Sequence, residues 1–495
     1  MEIREKSPYI ILVMISLFFT WVFFSIFLAE HIPASNGLGW DGVMYTKFAQ
    51  NIYNNILNHD LSPYSVQRII PSSLIYVMSK VFHFSVTEKN APFLFSILNA
   101  CMLTAAVFIW FKLARKLNWN LYVQIISFSG LFLNYVNLKM SFYYPTLTDT
   151  TAFTLGLFML YCYVDKKQAW LLATSIVGAF TFPTILYVGF IFFISPINIG
   201  NSKVLKNTTP FPVAITLLQV ILVTGVCISL HMRYNYVGAI ALGSNYSLPV
   251  LTLSSFALFL YIFLALRPMT VYYLSALSGF IKKPGRILCC ILVYILVSII
   301  MNLISGDSQS ELTPFIYLIH IANQALAYPF NFLISHVIYY GPIVLFLLYA
   351  WKEVVEYISQ KGVGLFIVTG ICLILSIGSE SRQLINFFPI AVFLTAEILN
   401  RKVLSWSFTL FFVSLSVLIS KCWLPLNHGE WPSLYTNPPQ TTLEFPLQWY
   451  FMSQGPWMSQ FMYLIHLIVI LGAGLLLYVF FKKRTYQCEA NFAMK

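Results

Sequence analysis

Long apolar runs recur from one end of this chain to the other, and short basic clusters stand between them. Runs such as Tyr9 to Ala29, Pro92 to Phe111 and Ile287 to Ile304 approach or reach the ~20 residues that an α-helix needs to cross a hydrocarbon layer. Only 9% of the residues are charged and 59% are hydrophobic, against roughly 25% charge in an ordinary soluble domain. A soluble core cannot absorb that much apolar surface. The chain therefore reads as an all-α polytopic membrane protein of about 12–14 transmembrane helices, forming one integral unit over residues 1–495.

The net charge of +12 does not point to nucleic acid. The basic residues sit in clusters such as Lys112/Arg115/Lys116, Lys166/Lys167, Lys282/Lys283/Arg286, Arg401/Lys402 and Lys482/Lys483/Arg484. With both termini inside, 21 of the 29 Lys and Arg fall on the cytoplasmic side, leaving 8 outside. That asymmetry is the positive-inside pattern. Most cysteines, including Cys101, Cys162, Cys227, Cys289 and Cys290, lie inside apolar runs as small core residues. No disulfide framework is expected.

In chain order, the first span leads to an outer loop over residues 30–90. Two amphipathic helices are expected there, lying along the membrane surface. The first covers about Asp41 to Leu57, with Tyr45, Phe48, Ile52 and Ile56 on one face. The second covers about Gln67 to Phe82, with Ile70, Leu74, Val77 and Val81. Later spans include Leu121–Leu138, followed by a short outer loop Lys139–Asp149, and a proline-broken hairpin over 169–199. Tyr272–Ile281 is open to an interfacial helix, and Ser305 to about Ser335 reads as an outer loop. Residues 421–460 form the last outer loop, a candidate acceptor region.

Polar signals gather on the outer side. Asp41 follows the first span in Gly39-Trp40-Asp41-Gly42, where Gly42 lets something approach the backbone closely. Gln67-Arg68 opens the second surface helix, Asp149 starts a later span, and Glu380 and Arg382 lie at the mouth of another. Charge at the bilayer edge is costly and usually has a reason. Local explanations exist for each. Asp41 and Asp149 both stand where a helix N-cap would. Arg382 has Glu380 close by, and Arg68 suits an interfacial anchor. His31, His59, His83 and His320 lack metal-ligand spacing. Walker, G-x-G-x-x-G and G-x-S-x-G motifs are absent. Trp423, Trp431, Trp449 and Trp457 suit an interface belt or a sugar platform.

The order of these features resembles the GT-C superfamily of membrane glycosyltransferases, which use sugars carried on polyprenyl phosphate. The matching elements are W-D-G-x-x-Y (Trp40 to Tyr45), two surface helices with Gln67-Arg68, Y-P-T-x-T-D-T (Tyr144 to Thr150), the hairpin at Phe180 to Thr184, and E-S-R-x-x-x-x-F-x-P (Glu380 to Pro389). The likeness covers roughly the first 200 residues well and the rest through topology and Glu380-Arg382. It implies inverting transfer to a lipid-linked or cell-envelope glycan acceptor, on the periplasmic side of a bacterial inner membrane, within membrane lipids. It implies Asp41 as base, Asp149 as orienting group or ligand of a divalent cation (Mg or Mn), and Arg68, Arg382 or Arg233 as grips for the donor phosphate. Trp40, Gly42, Tyr45, Gln67, Tyr144 and Glu380 would support them. The alternative is a lipid-linked saccharide flippase or secondary transporter, whose polar site would lie near the bilayer midplane. An O-antigen polymerase or ligase would carry more arginines in its outer loops.

Overall fold

The computed structural model describes residues 2–197, 211–234, 248–278, 284–306, 314–427 and 460–493. The regular secondary structure of the described residues is helical, with one isolated bridge between Leu61 and Ser305. Among the described residues, six helices are long and apolar enough to cross a membrane: Tyr9–Leu28, Ala91–Lys116, Phe211–Arg233, Leu248–Leu277, Pro284–Ile304 and Met462–Phe480. The protein is therefore a polytopic helical membrane protein.

The expected 12–14 full spans give way to a mixture. Besides the six, there are shorter apolar helices such as Gln168–Ala179, Thr184–Ile194, Val363–Leu375, Phe388–Leu399 and Trp406–Ser420. A 12-residue helix is about 18 Å long, well short of a ~30 Å hydrocarbon layer. These helices are buried against one another, and the largest core runs through them with Trp110, Tyr135, Tyr163 and Tyr339 inside it.

Several sequence readings change for local reasons. The span expected over Leu121–Leu138 ends at Phe132 and resumes as Val136–Tyr143 after a bend of 52°. The side chain of Asn134 donates to Gly130 O and Leu131 O, and that of Asn137 to Leu131 O. Side-chain amides thus replace backbone donors in the helical ladder, an identifiable cause of a kink. The Lys139–Asp149 segment is buried along its length, not an exposed loop. Residues 272–278 continue the Leu248–Ser278 helix straight through Pro268, so a separate interfacial helix is not formed there. Trp351 Nε1 donates to Ala265 O at 2.8 Å beside the proline, the kind of repair that lets a membrane helix tolerate one. The region from Ser305 to Ser335 holds the helix Pro314–Ala327 and the start of Asn331–Tyr340. The hairpin at 169–199 breaks at Thr181-Phe182-Pro183 as expected. Most of the 421–460 loop, with Trp431, Trp449 and Trp457, lies outside the described residues.

The two surface helices form where the pattern put them, as Asp41–Leu57 and as Pro63–Val66 with Ile69–Val81. Tyr45, Phe48, Ile52, Ile69 and Ile75 make a small core with Phe95 and Leu98. The stripe of the second helix points away from the protein core: Leu74, Val77 and Val81 are exposed, while Ser72 and Ile75 are buried. Protein contacts take the Ser72 face, where its hydroxyl donates to Tyr45 O at 2.9 Å. The apolar stripe is left for lipid.

The two ends of the helix bundle differ in charge chemistry. One gathers Lys116 and Lys167 on Asp165, and Lys402 on Glu353. The other gathers Asp41, Asp149 and Arg382.

Candidate functional site

The site is built where three distant segments meet. Asp41 and Asp149 are each the first residue of a helix, and Arg382 lies on the short 3-10 turn Ser381–Leu384. Arg382 Nη1 stands 3.7 Å from Asp41 Oδ2, and its Nε stands 3.5 Å from Asp149 Oδ2. One guanidinium therefore bridges carboxylates from two helices. The local partner the sequence offered, Glu380, is not the one used. Neither aspartate acts as a cap: the N-cap residues are Trp40 and Thr148, and no side-chain capping bond is made.

Exposure separates the two acids. The Asp41 side chain keeps 32% of its surface and the Asp149 side chain 6%. Among the described residues, both Asp149 oxygens lack a hydrogen-bond partner, as do the buried hydroxyls of Tyr45, Thr148, Thr151 and Tyr339, and Arg382 Nε. Buried polar groups are normally satisfied. So many unspent donors and acceptors around one carboxylate mark a place built for a polar ligand.

The Trp40-Asp41 stretch is held from below. Asp41 N–H donates to Tyr144 Oη at 2.9 Å, and Thr146 Oγ1 donates to Leu38 O at 3.0 Å. Asn99 Nδ2 holds the same loop through Ser141 O and Pro145 O, both at 2.8 Å. A Cβ on Gly39, whose φ is +69°, would fall 2.2 Å from the Tyr144 ring, and one on Gly42 would fall 2.2 Å from Thr146 Oγ1. Gly42 therefore serves this loop contact. Trp40 packs edge-on to Tyr144, ring centres 6.3 Å apart.

The Arg382 turn is equally fixed. His336 Nε2 lies 2.9 Å from Ser376 O and so must be the protonated nitrogen, leaving Nδ1 to accept from Ser381 Oγ at 2.9 Å. Tyr340 Oη donates to Ser381 O at 2.6 Å. The backbone N–H groups of Ser379 and Glu380 donate to Gln324 Oε1.

Arg68 is buried and stacked on Tyr64, its guanidinium carbon 3.7 Å from the ring centre. Tyr64 O is its one hydrogen-bond partner among the described residues, from Nη1 at 3.3 Å. The remaining N–H groups are available to an anion. Burial first, then the Asp41 charge, pushes the Tyr45 phenol well up, so it stays a neutral hydroxyl. Gln67 ends the Pro63–Val66 turn, its N–H on Pro63 O. Arg233 ends the Phe211–Arg233 helix, exposed, 5.6 Å from the Tyr234 ring. No ion pair joins it to the Asp41 group among the described residues.

Sequence reasoning missed Tyr64, and it quoted Thr146 within the Tyr144 to Thr150 motif without a role of its own. Tyr64 stands four residues before Arg68, a spacing that places an aromatic face against a guanidinium on one helical turn. Nothing local marks Thr146 as the partner of Gly42.

A second space adjoins the Arg382 turn. A cavity of about 530 Å³ runs between the Leu248–Ser278, Asn331–Tyr340, Pro342–Tyr349, Val363–Leu375 and Phe388–Leu399 helices. Its lining is mostly apolar, including Leu264, Leu347, Leu373 and Ala391, and Leu384 of the Ser381–Leu384 turn is part of it.

No protein-family model, curated protein or solved structure matches this chain.

Proposed function

We propose that the protein is a membrane glycosyltransferase that moves a sugar from a polyprenyl-phosphate donor to a lipid-linked or cell-envelope glycan acceptor, with inversion, on the periplasmic side of a bacterial inner membrane. The observation that carries this reading is the meeting of Asp41, Asp149 and Arg382, with Arg68 unspent nearby, beside an apolar cavity large enough for part of an isoprenoid chain. Polar chemistry and a lipid-sized space are thus supplied side by side. Asp41, the more open carboxylate, takes the proton of the acceptor hydroxyl. The hydroxyl oxygen bonds to the anomeric carbon as the bond from that carbon to the phosphate oxygen breaks, and polyprenyl phosphate leaves with the electron pair. Arg68 meets the phosphate with its free N–H groups, which stabilise charge as it develops. Asp149 accepts from sugar hydroxyls.

The test is transfer in vitro by purified protein, with a panel of polyprenyl-phosphate sugars and isolated glycolipid acceptors. Asp41→Asn keeps size and polarity, so folding should be unchanged. Loss of a general base should slow transfer by about 10²- to 10⁴-fold. An Asn variant that keeps the wild-type rate at saturating donor overturns the assignment.

A further inference from the structure

We infer that Arg382 is the resident cation of the Asp41–Asp149 pair, standing where a divalent metal would bridge the two carboxylates. Two different nitrogens of one guanidinium face carboxylates on two different helices, at 3.7 and 3.5 Å. That is the task a bridging Mg²⁺ or Mn²⁺ performs in a phosphate-handling site. A hard cation needs carboxylate oxygens at roughly 2.0–2.6 Å. Any ion reaching both acids would lie against the guanidinium, and like charges that close in a partly buried place repel strongly. Among the described residues, no group of three or more His, Cys, Asp or Glu is arranged to hold a metal.

Nor is Arg382 placed to swing away. Its side chain keeps 17% of its surface, and the preceding Ser381 is tied by side chain to His336 and by carbonyl to Tyr340. The arginine is a positioning residue. It holds Asp41 in place and ties the two helix starts together, while among the described residues the Asp149 oxygens have no hydrogen-bond partner and stay available to substrate hydroxyls. The consequence for activity, transfer without an added divalent ion, rests on the glycosyltransferase reading. The occupancy of the carboxylate pair does not.

The experiment is a Mn²⁺ titration of the purified full-length protein, read by the electron paramagnetic resonance of the free aquo ion. Wild type should hold no more Mn²⁺ than Asp149→Asn. Arg382→Ala should gain a site for one ion per chain, at least about tenfold tighter than any wild-type binding, and adding Asp149→Asn should remove it. Arg382→Gln, closer in size, replaces the Ala variant if thermal unfolding shows that the latter does not fold. Arg382→Lys keeps the charge and should gain no site. Stoichiometric Mn²⁺ on wild type that Asp149→Asn abolishes overturns the proposal. So does a folded Ala or Gln variant with no gained site. Where transfer is observed, excess EDTA should leave its rate unchanged, and loss that Mn²⁺ restores also overturns it. A chain that transfers no sugar under any condition defeats the functional reading alone, because the Mn²⁺ result stands by itself.

Discussion

Gly42 illustrates what a single residue does here. The sequence marks the position as one where a close approach is wanted, but it does not say by what. In the structure the visitor is Thr146, from a loop more than a hundred residues away. A Cβ on residue 42 would sit 2.2 Å from Thr146 Oγ1 and 2.8 Å from its Cβ. Gly42→Ala should therefore push the loop off Asp41 and cost about 1–3 kcal/mol, the usual range for overpacking. Thermal unfolding measures that cost, and transfer should fall with it. Thr146→Ala removes the nearest atom but leaves the Cβ contact, so the double variant should recover only part of the loss. The acids were legible as polar residues beside spans. That neither is a cap was not, because a cap and an open carboxylate have the same local sequence.

At the scale of elements, apolar length located most helices, and internal polar residues decided where they bend. Within the run from Leu121 to Leu138, the amides of Asn134 and Asn137 take carbonyls that a straight helix would use. Pro268 lies inside the Leu248–Ser278 helix and does not end it. A further tie between elements was invisible to pattern. Glu30, half-buried, accepts from Lys139 Nζ at 2.7 Å and from the backbone N–H groups of Leu426 and Asn427. Asn427 in turn accepts from Tyr143 Oη at 2.8 Å and donates to His31 O at 2.7 Å. Burial alone would raise the Glu30 carboxyl, but Lys139 and the two N–H groups outweigh it and hold its pKa below the ordinary 4.5. A lowered folded pKa means stability that is present above the ordinary value and is lost as pH falls through the folded one. The unfolding temperature of wild type should drop in acid below about pH 4.5. Glu30→Gln should flatten that drop and lower stability at pH 7, towards the small end of the ~3–5 kcal/mol seen when one partner of a buried ion pair is removed.

For the molecule as a whole, basic clusters at one end and the paired acids at the other repeat the charge asymmetry of the sequence. Orientation is tested by cysteine labelling with a membrane-impermeant reagent in intact cells. A cysteine at Asn55 should react and one within Lys482 to Arg484 should not; the reverse result would invert the scheme. The number of complete spans was the least legible property, since hydropathy records how apolar a run is but not whether neighbouring short helices share one crossing. The Glu30 tie also imposes an order on biosynthesis. The groups it joins are separated by 396 residues. At roughly 5–20 residues per second of synthesis, the first of them waits about 20–80 s for the last. Lys139 follows Glu30 far sooner, but the places that the Leu426 and Asn427 N–H groups take stay open through that interval. The tie between the first outer segment and the far end of the chain is therefore completed last, when the segment carrying Leu426 and Asn427 arrives.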